Sequence, residues 1–113
     1  AATLNNWGVS EMARGDFAAA ERRFEEALAF DPDLFGAKNN LALAYALQRR
    51  YRVPLVGLTE EERAVVLHNI GVVALRQGDR GVAREMFERA VATHPRHFPP
   101  AADQLAALAA AGG

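Results

Sequence analysis

Apolar and polar residues alternate with helical periodicity along most of this chain, and clusters of Gly, Asp and Pro interrupt the pattern. The pattern predicts six helices, near residues 2–14, 17–30, 34–49, 60–77, 80–93 and 99–110. Ala is abundant and β-branched residues are sparse outside residues 53–73, which favours helix before any periodicity is read. Thr59-Glu60-Glu61-Glu62 reads as a capping box that starts a long helix running to about Gln77. The pattern fails at Tyr51-Arg52-Val53-Pro54-Leu55-Val56-Gly57-Leu58, where Pro and Gly lie three apart, so residues 51–58 are expected to form an extended loop.

The same pattern occurs twice. Residues 8–32 align with residues 71–95 without a gap, placing Gly8 on Gly71 and Gly15-Asp16 on Gly78-Asp79. Ala20 falls on Ala83, Phe24 on Phe87, Ala27 on Ala90 and Pro32 on Pro95. Gly15 and Gly78 are expected to end one helix in a left-handed conformation, where the absence of Cβ removes the steric penalty. Asp16 and Asp79 are expected to cap the following helix with their side chains. Gly8, Gly71, Ala20 and Ala83 are small residues where two helices must approach closely, and Phe24 and Phe87 are expected to fill the space between stacked units. Pro32 and Pro95 stop the second helix of each unit.

These landmarks resemble the tetratricopeptide repeat, whose pattern is W-x₂-L-G-x₂-Y, then A-x₃-F, then P, over about 34 residues. The first unit reads Leu4-x₂-Trp7-Gly8-x₂-Glu11, Ala20-x₃-Phe24, Pro32, and the third Leu67-x₂-Ile70-Gly71-x₂-Ala74, Ala83-x₃-Phe87, Pro95. Between them, Lys38-x₂-Leu41-Ala42-x₂-Tyr45 supplies the first helix of a second unit. That unit lacks its A-x₃-F half, and the third begins several residues early. Glu11 is a further departure, since the family usually has an aromatic there. The resemblance implies an all-α, right-handed superhelix of helical hairpins, an α-solenoid in a single domain. Repeat 1 would span 1–34, a degenerate repeat 2 with its loop 35–63, repeat 3 64–97, and a terminal capping helix 98–113. Val53, Leu55, Val56 and Leu58 would plug the place of the missing helix or leave a sticky surface for a second chain.

The resemblance also implies a concave groove lined by the first helices of successive units. In family register the sixth position is Asn6, Asn40 and Asn69, and the fifth is Asn5, Asn39 and His68. The ninth is Val9, Leu43 and Val72; Met12 holds a twelfth position, and Arg76 is the one cation among the groove positions. An amide offers both donor and acceptor, so a column of asparagines can pair with the backbone of an extended peptide. The bland reading is that these amides tie neighbouring helices together. The groove lacks the basic residues with which family members clamp an acidic C-terminus, so an apolar or neutral segment is the expected ligand.

Composition narrows the functional classes further. The 113 residues carry 13 basic and 14 acidic side chains, a net charge of −1, with the two signs interspersed. No nucleic-acid partner is expected on that balance. Arg49, Arg50 and Arg52 around Tyr51 are read as solvated arginines complementing a helix C-terminus. The charges at Glu21, Arg22, Arg23, Glu25 and Glu26 read as a solvated helix face. With no Cys, disulfides and thiolate chemistry are excluded and the redox compartment stays open. His94-x-x-His97 flanks Pro95 without a Cys or nearby carboxylate, so no metal is expected. No nucleophile–base pair, phosphate loop or carboxylate dyad stands out, so neither enzyme activity nor a cofactor is expected. No apolar run approaches the 18–20 or so residues that span a bilayer.

The chain begins Ala1-Ala2-Thr3 without Met, which suggests a piece of a longer protein or a mature form. A cytoplasmic location is expected ahead of a periplasmic one. Twelve arginines against one lysine, Lys38, with abundant Ala and Gly, suggest a GC-rich bacterial genome. The expected function is a protein–protein interaction module, a scaffold or adaptor that binds a peptide or protein segment in the groove. Self-assembly into a homo-oligomer, or a regulatory appendage of a larger protein, is the alternative.

Overall fold

A computed structural model describes residues 1–93 and 99–110, and the chain divides into two compact units, Ala1–Val53 and Pro54–Gly113. The described residues form six α-helices and no strand.

The first unit holds α1 (Ala2–Ala13), α2 (Phe17–Phe30) and α3 (Phe35–Ala46). The α1–α2 connection spans three residues, short enough to force an antiparallel hairpin. Phe24 of α2 is fully buried and packs with Ala20 and with Ala44 of α3, while Met12 and Leu41 close over the cluster. The ring also lies flat on α1, where a Cβ added at Gly8 would sit 2.5 Å from Phe24 Cε1. Phe24 therefore fills the inside of its own hairpin as well as the contact with the next helix. Burying one such ring stabilises by about 3 kcal/mol.

The second unit holds α4 (Glu60–Arg76), α5 (Arg80–Thr93) and α6 (Pro99–Ala110). Thr59 Oγ1 accepts from the Glu62 N–H at 3.1 Å and Glu62 Oε1 accepts from the Thr59 N–H at 3.0 Å, the expected capping box. Phe87 repeats the role of Phe24: a Cβ at Gly71 would lie 2.6 Å from Phe87 Cε1. Leu67, Ile70, Met86, Phe87 and Leu108 are buried.

Three helices end in one backbone arrangement. Gly15 N donates to Met12 O and Asp16 N to Glu11 O; Gly78 N donates to Leu75 O and Asp79 N to Ala74 O. Arg49 N donates to Ala46 O and Arg50 N to Tyr45 O in the same way. The turning residue is left-handed each time, with φ of 80° at Gly15, 62° at Arg49 and 83° at Gly78. This closure ends α3 at Ala46, three residues before the predicted end, because an Arg standing where Gly is usual hides the stop.

The expected side-chain cap at Asp16 does not form. Its φ, ψ of −89°, 71° depart from the extended backbone of Thr59 (−69°, 168°), and only its carbonyl joins the helix, accepting from Ala20 N at 3.0 Å. In the irregular stretch Tyr51 is buried, Val53, Leu55 and Leu58 are half-buried, and Val56 is exposed. Pro95, His94 and His97 lie outside the described residues.

Candidate functional site

The expected groove residues of the first unit divide into three kinds. Asn6 and Val9 stand exposed on α1, Val9 at 41%. Asn5 on α1 and Asn40 on α3 are half-buried and joined: Asn40 Nδ2 donates to Asn5 Oδ1 at 3.1 Å. Gly36, one turn before Asn40, faces the Asn5 amide: a Cβ there would make an ordinary contact with Asn5 Nδ2 at 3.5 Å. Asn39 and Leu43 are half-buried on α3. Met12 packs with Leu41 over the Phe24 cluster and belongs largely to the core.

In the second unit the same register falls on α4. Asn69 and Val72 are half-buried, and Arg76 stands in the last turn, where a cation complements the helix dipole. The His68 ring stacks on Phe87 at 5.5 Å between centroids, tilted by 43°. Burial beside that ring lowers the His68 pKa from its ordinary value.

The charged face of α2 is more than a solvated surface. Arg23 Nε lies 3.3 Å from Glu11 Oε1, its Nη1 reaches Glu26 at 2.9 Å, and its guanidinium sits 3.8 Å above the Trp7 ring. Glu11, at the position where the repeat family has an aromatic, is buried at 6% exposure. The Arg23 Nε–Glu11 contact is close but poorly aligned for a hydrogen bond, so charge pairing and the Trp7 stack hold it. Glu21 receives Gln48 Nε2 at 2.6 Å and Arg50 Nη2 at 2.9 and 2.8 Å, tying α2 to the end of α3. Tyr45 donates to Glu25 at 3.4 Å, and burial together with the Glu25 and Glu21 carboxylates raises its phenol pKa above the usual value. Apart from Arg23–Glu26, an i, i+3 pair on one helix, these ties leave no trace in the sequence pattern, because partners 12 to 29 residues apart give no periodic signal within one helix. Glu11, an acid where the pattern calls for an aromatic ring, is the one available clue.

Among the described residues no group of three or more His, Cys, Asp or Glu could hold a metal ion. No helix among them is long and apolar enough to cross a membrane.

No curated protein matches the chain. Family models of the tetratricopeptide repeat match residues 1–34 and 63–101, which leaves residues 35–62, with α3 and the irregular stretch, outside both matches. Repeats of this kind are generally protein–protein interaction modules and form a non-catalytic family. Two matches covering more than half the sequence agree with the three equivalent helix ends and the paired Gly–Phe contacts, and the chain belongs to the tetratricopeptide repeat family.

Proposed function

We propose that the first helices of the first unit's repeats, α1 and α3, bind an extended peptide or protein segment through their amides, giving the chain a scaffold or adaptor role, and that α4 offers the same chemistry within its own unit. The observation that carries this reading is the Asn5–Asn40 pair beside exposed Asn6 and Val9. The pair uses one N–H of Asn40 and one lone pair of Asn5. An amide has two N–H groups and an oxygen with two lone pairs, so the pair keeps donor capacity at Asn5 Nδ2 and acceptor capacity at Asn40 Oδ1. A peptide backbone presents the complementary pattern whatever its side chains, and Val9 and Leu43 supply apolar contact. Asn69 and Val72 carry the same residue types on α4.

The test is selection of binders from a random-peptide display library on the intact chain, followed by affinity measurement with the Asn40→Ala, Asn69→Ala double variant. Lost binding at unchanged helicity supports the reading. Unchanged affinity would leave the amides as ties between helices and overturn it.

Self-assembly is the alternative, favoured by two large apolar side chains in solvent, Phe30 and Val56. Light scattering over a concentration series separates the two, and a strict monomer removes the alternative.

A further inference from the structure

The two hairpins that repeat one pattern differ where their second helices begin. Residue for residue, Met12 of α1 corresponds to Leu75 of α4, and Phe17, which opens α2, corresponds to Arg80, which opens α5. Phe17 is half-buried, whereas Arg80 stands exposed. Beside Arg80 the second unit keeps a cavity of about 160 Å³, walled by Leu75, Ala107 and Leu108, with Arg80 and Gln104 completing the described lining. Leu108 is buried, so that wall is a fixed apolar surface. Among the described residues neither Arg80 nor Gln104 makes a hydrogen bond or ion pair, and guanidinium and amide both keep their donors. A space well below the 300 or so Å³ of a small-molecule pocket holds a single side chain. The cavity therefore suits one apolar side chain with a carboxylate beside it.

The chain itself carries such a group. Four large apolar side chains are exposed among the described residues: Trp7, Val9, Phe30 and Val56. Trp7 is stacked under Arg23, and the acid nearest Val9 is Glu11, which is buried and paired with Arg23. Val56 has no acidic residue nearer than Glu60. Phe30, 76% exposed, is followed by exposed Asp31 and Asp33. Asp31 Oδ1 accepts from the Asp33 N–H at 3.2 Å, which holds the two acids in a turn directly after the ring. No basic residue stands in the last turn of α2, and among the described residues neither carboxylate has an ion-pair partner. An exposed ring with two uncompensated carboxylates complements an apolar cavity with an uncompensated guanidinium.

We infer that the cavity lined by Leu75, Arg80 and Leu108 is a docking site for the end of α2 of a second copy of this chain, with the Phe30 ring entering it and an aspartate beside the ring meeting Arg80. Ring and cavity are different surfaces, so the contact is heterologous and the copies join head to tail. A contact of this size belongs to the weak, transient class and forms at high protein concentration. The inference rests on the self-assembly reading and names its surfaces; it does not depend on peptide binding by α1 and α3.

The experiment is sedimentation velocity on the full chain from about 0.01 to 1 mM, a range that covers weak contacts. Phe30→Ser removes the ring and Arg80→Glu reverses the charge at the cavity; both positions are exposed, and circular dichroism checks that each variant keeps its helices. Val56→Ser is the control. The expected result is a weight-average mass that rises with concentration, with association weakened at least about tenfold by Phe30→Ser and by Arg80→Glu and unchanged by Val56→Ser. An equimolar mixture of the Phe30→Ser and Arg80→Glu chains regains association and stops at two copies, because one still offers the cavity and the other the ring. A chain that stays monomeric over the whole range removes self-assembly and the inference together. Association that survives either variant, or a mixture no better than its components, overturns the inference alone and leaves self-assembly to another surface.

Discussion

The ring of Phe24 occupies the space that a side chain at Gly8 would need. A methyl group there would fall within 2.9 Å of three ring atoms, and the ring is fully buried and has nowhere to go. Gly8→Ala is expected to destabilise the chain by about 2 kcal/mol, the usual overpacking cost reduced by the better helix propensity of Ala. Gly71→Ala should behave alike against Phe87. Gly81→Ala, with nothing within 4 Å, should be neutral or stabilise by a few tenths of a kcal/mol. Urea denaturation of the three variants checks the order.

At the helix ends the backbone matters more than space. A methyl group added at Gly15 or Gly78 would meet nothing within 4 Å, yet their φ of 80° and 83° disfavour any L side chain. Gly15→Ala and Gly78→Ala should each cost about 1 kcal/mol, while Arg49→Gly should gain a similar amount. Thermal melts give the sign directly, and a lower melting temperature for Arg49→Gly would contradict it.

Removing Arg23 leaves the buried Glu11 carboxylate without its cation and exposes the Trp7 face. Arg23→Met should cost about 2 kcal/mol, below the 3–5 or so of a fully buried pair because Arg23 keeps some contact with water. The paired change Glu11→Leu, Arg23→Met should recover much of that loss, since no lone charge remains. A double-mutant cycle measured by denaturation tests this, and additive effects would show that the pair is uncoupled.

His68 sets a pH dependence. Its folded-state pKa is lowered by burial, so the unfolded chain, titrating near 6.5, binds the proton more readily. The stability that the neutral ring contributes is complete above pH 6.5 and is lost as pH falls through the lower folded-state value. Melting temperature should decline over that window. His68→Phe, which keeps a ring beside Phe87 but cannot titrate, should show a smaller decline in parallel melts.

Much of the fold can be read from local signals because each is a short-range event. Capping at Thr59 and Glu62, the left-handed glycines and the small-residue positions facing Phe24 and Phe87 all act within one hairpin. The end of α3 escapes such a reading because Arg49 takes a conformation that its residue type disfavours. The candidate site is legible as residue types on the first helices. Its pairing is not: whether Asn40 meets Asn5 or Asn6 depends on the rotation of α3 against α1, which no single helix encodes. The same holds for Glu21 with Arg50 and Glu11 with Arg23, whose partners are chosen by packing.

The Trp7–Arg23 stack also gives the molecule a built-in optical label. Trp7 is the sole tryptophan, and both tyrosines, Tyr45 and Tyr51, belong like it to Ala1–Val53. Indole emission should therefore report when the α1–α2 hairpin opens, while Pro54–Gly113 contributes circular dichroism but no Trp or Tyr fluorescence. Following both signals through one melt would reveal whether the two units lose structure together or in sequence, without an added dye.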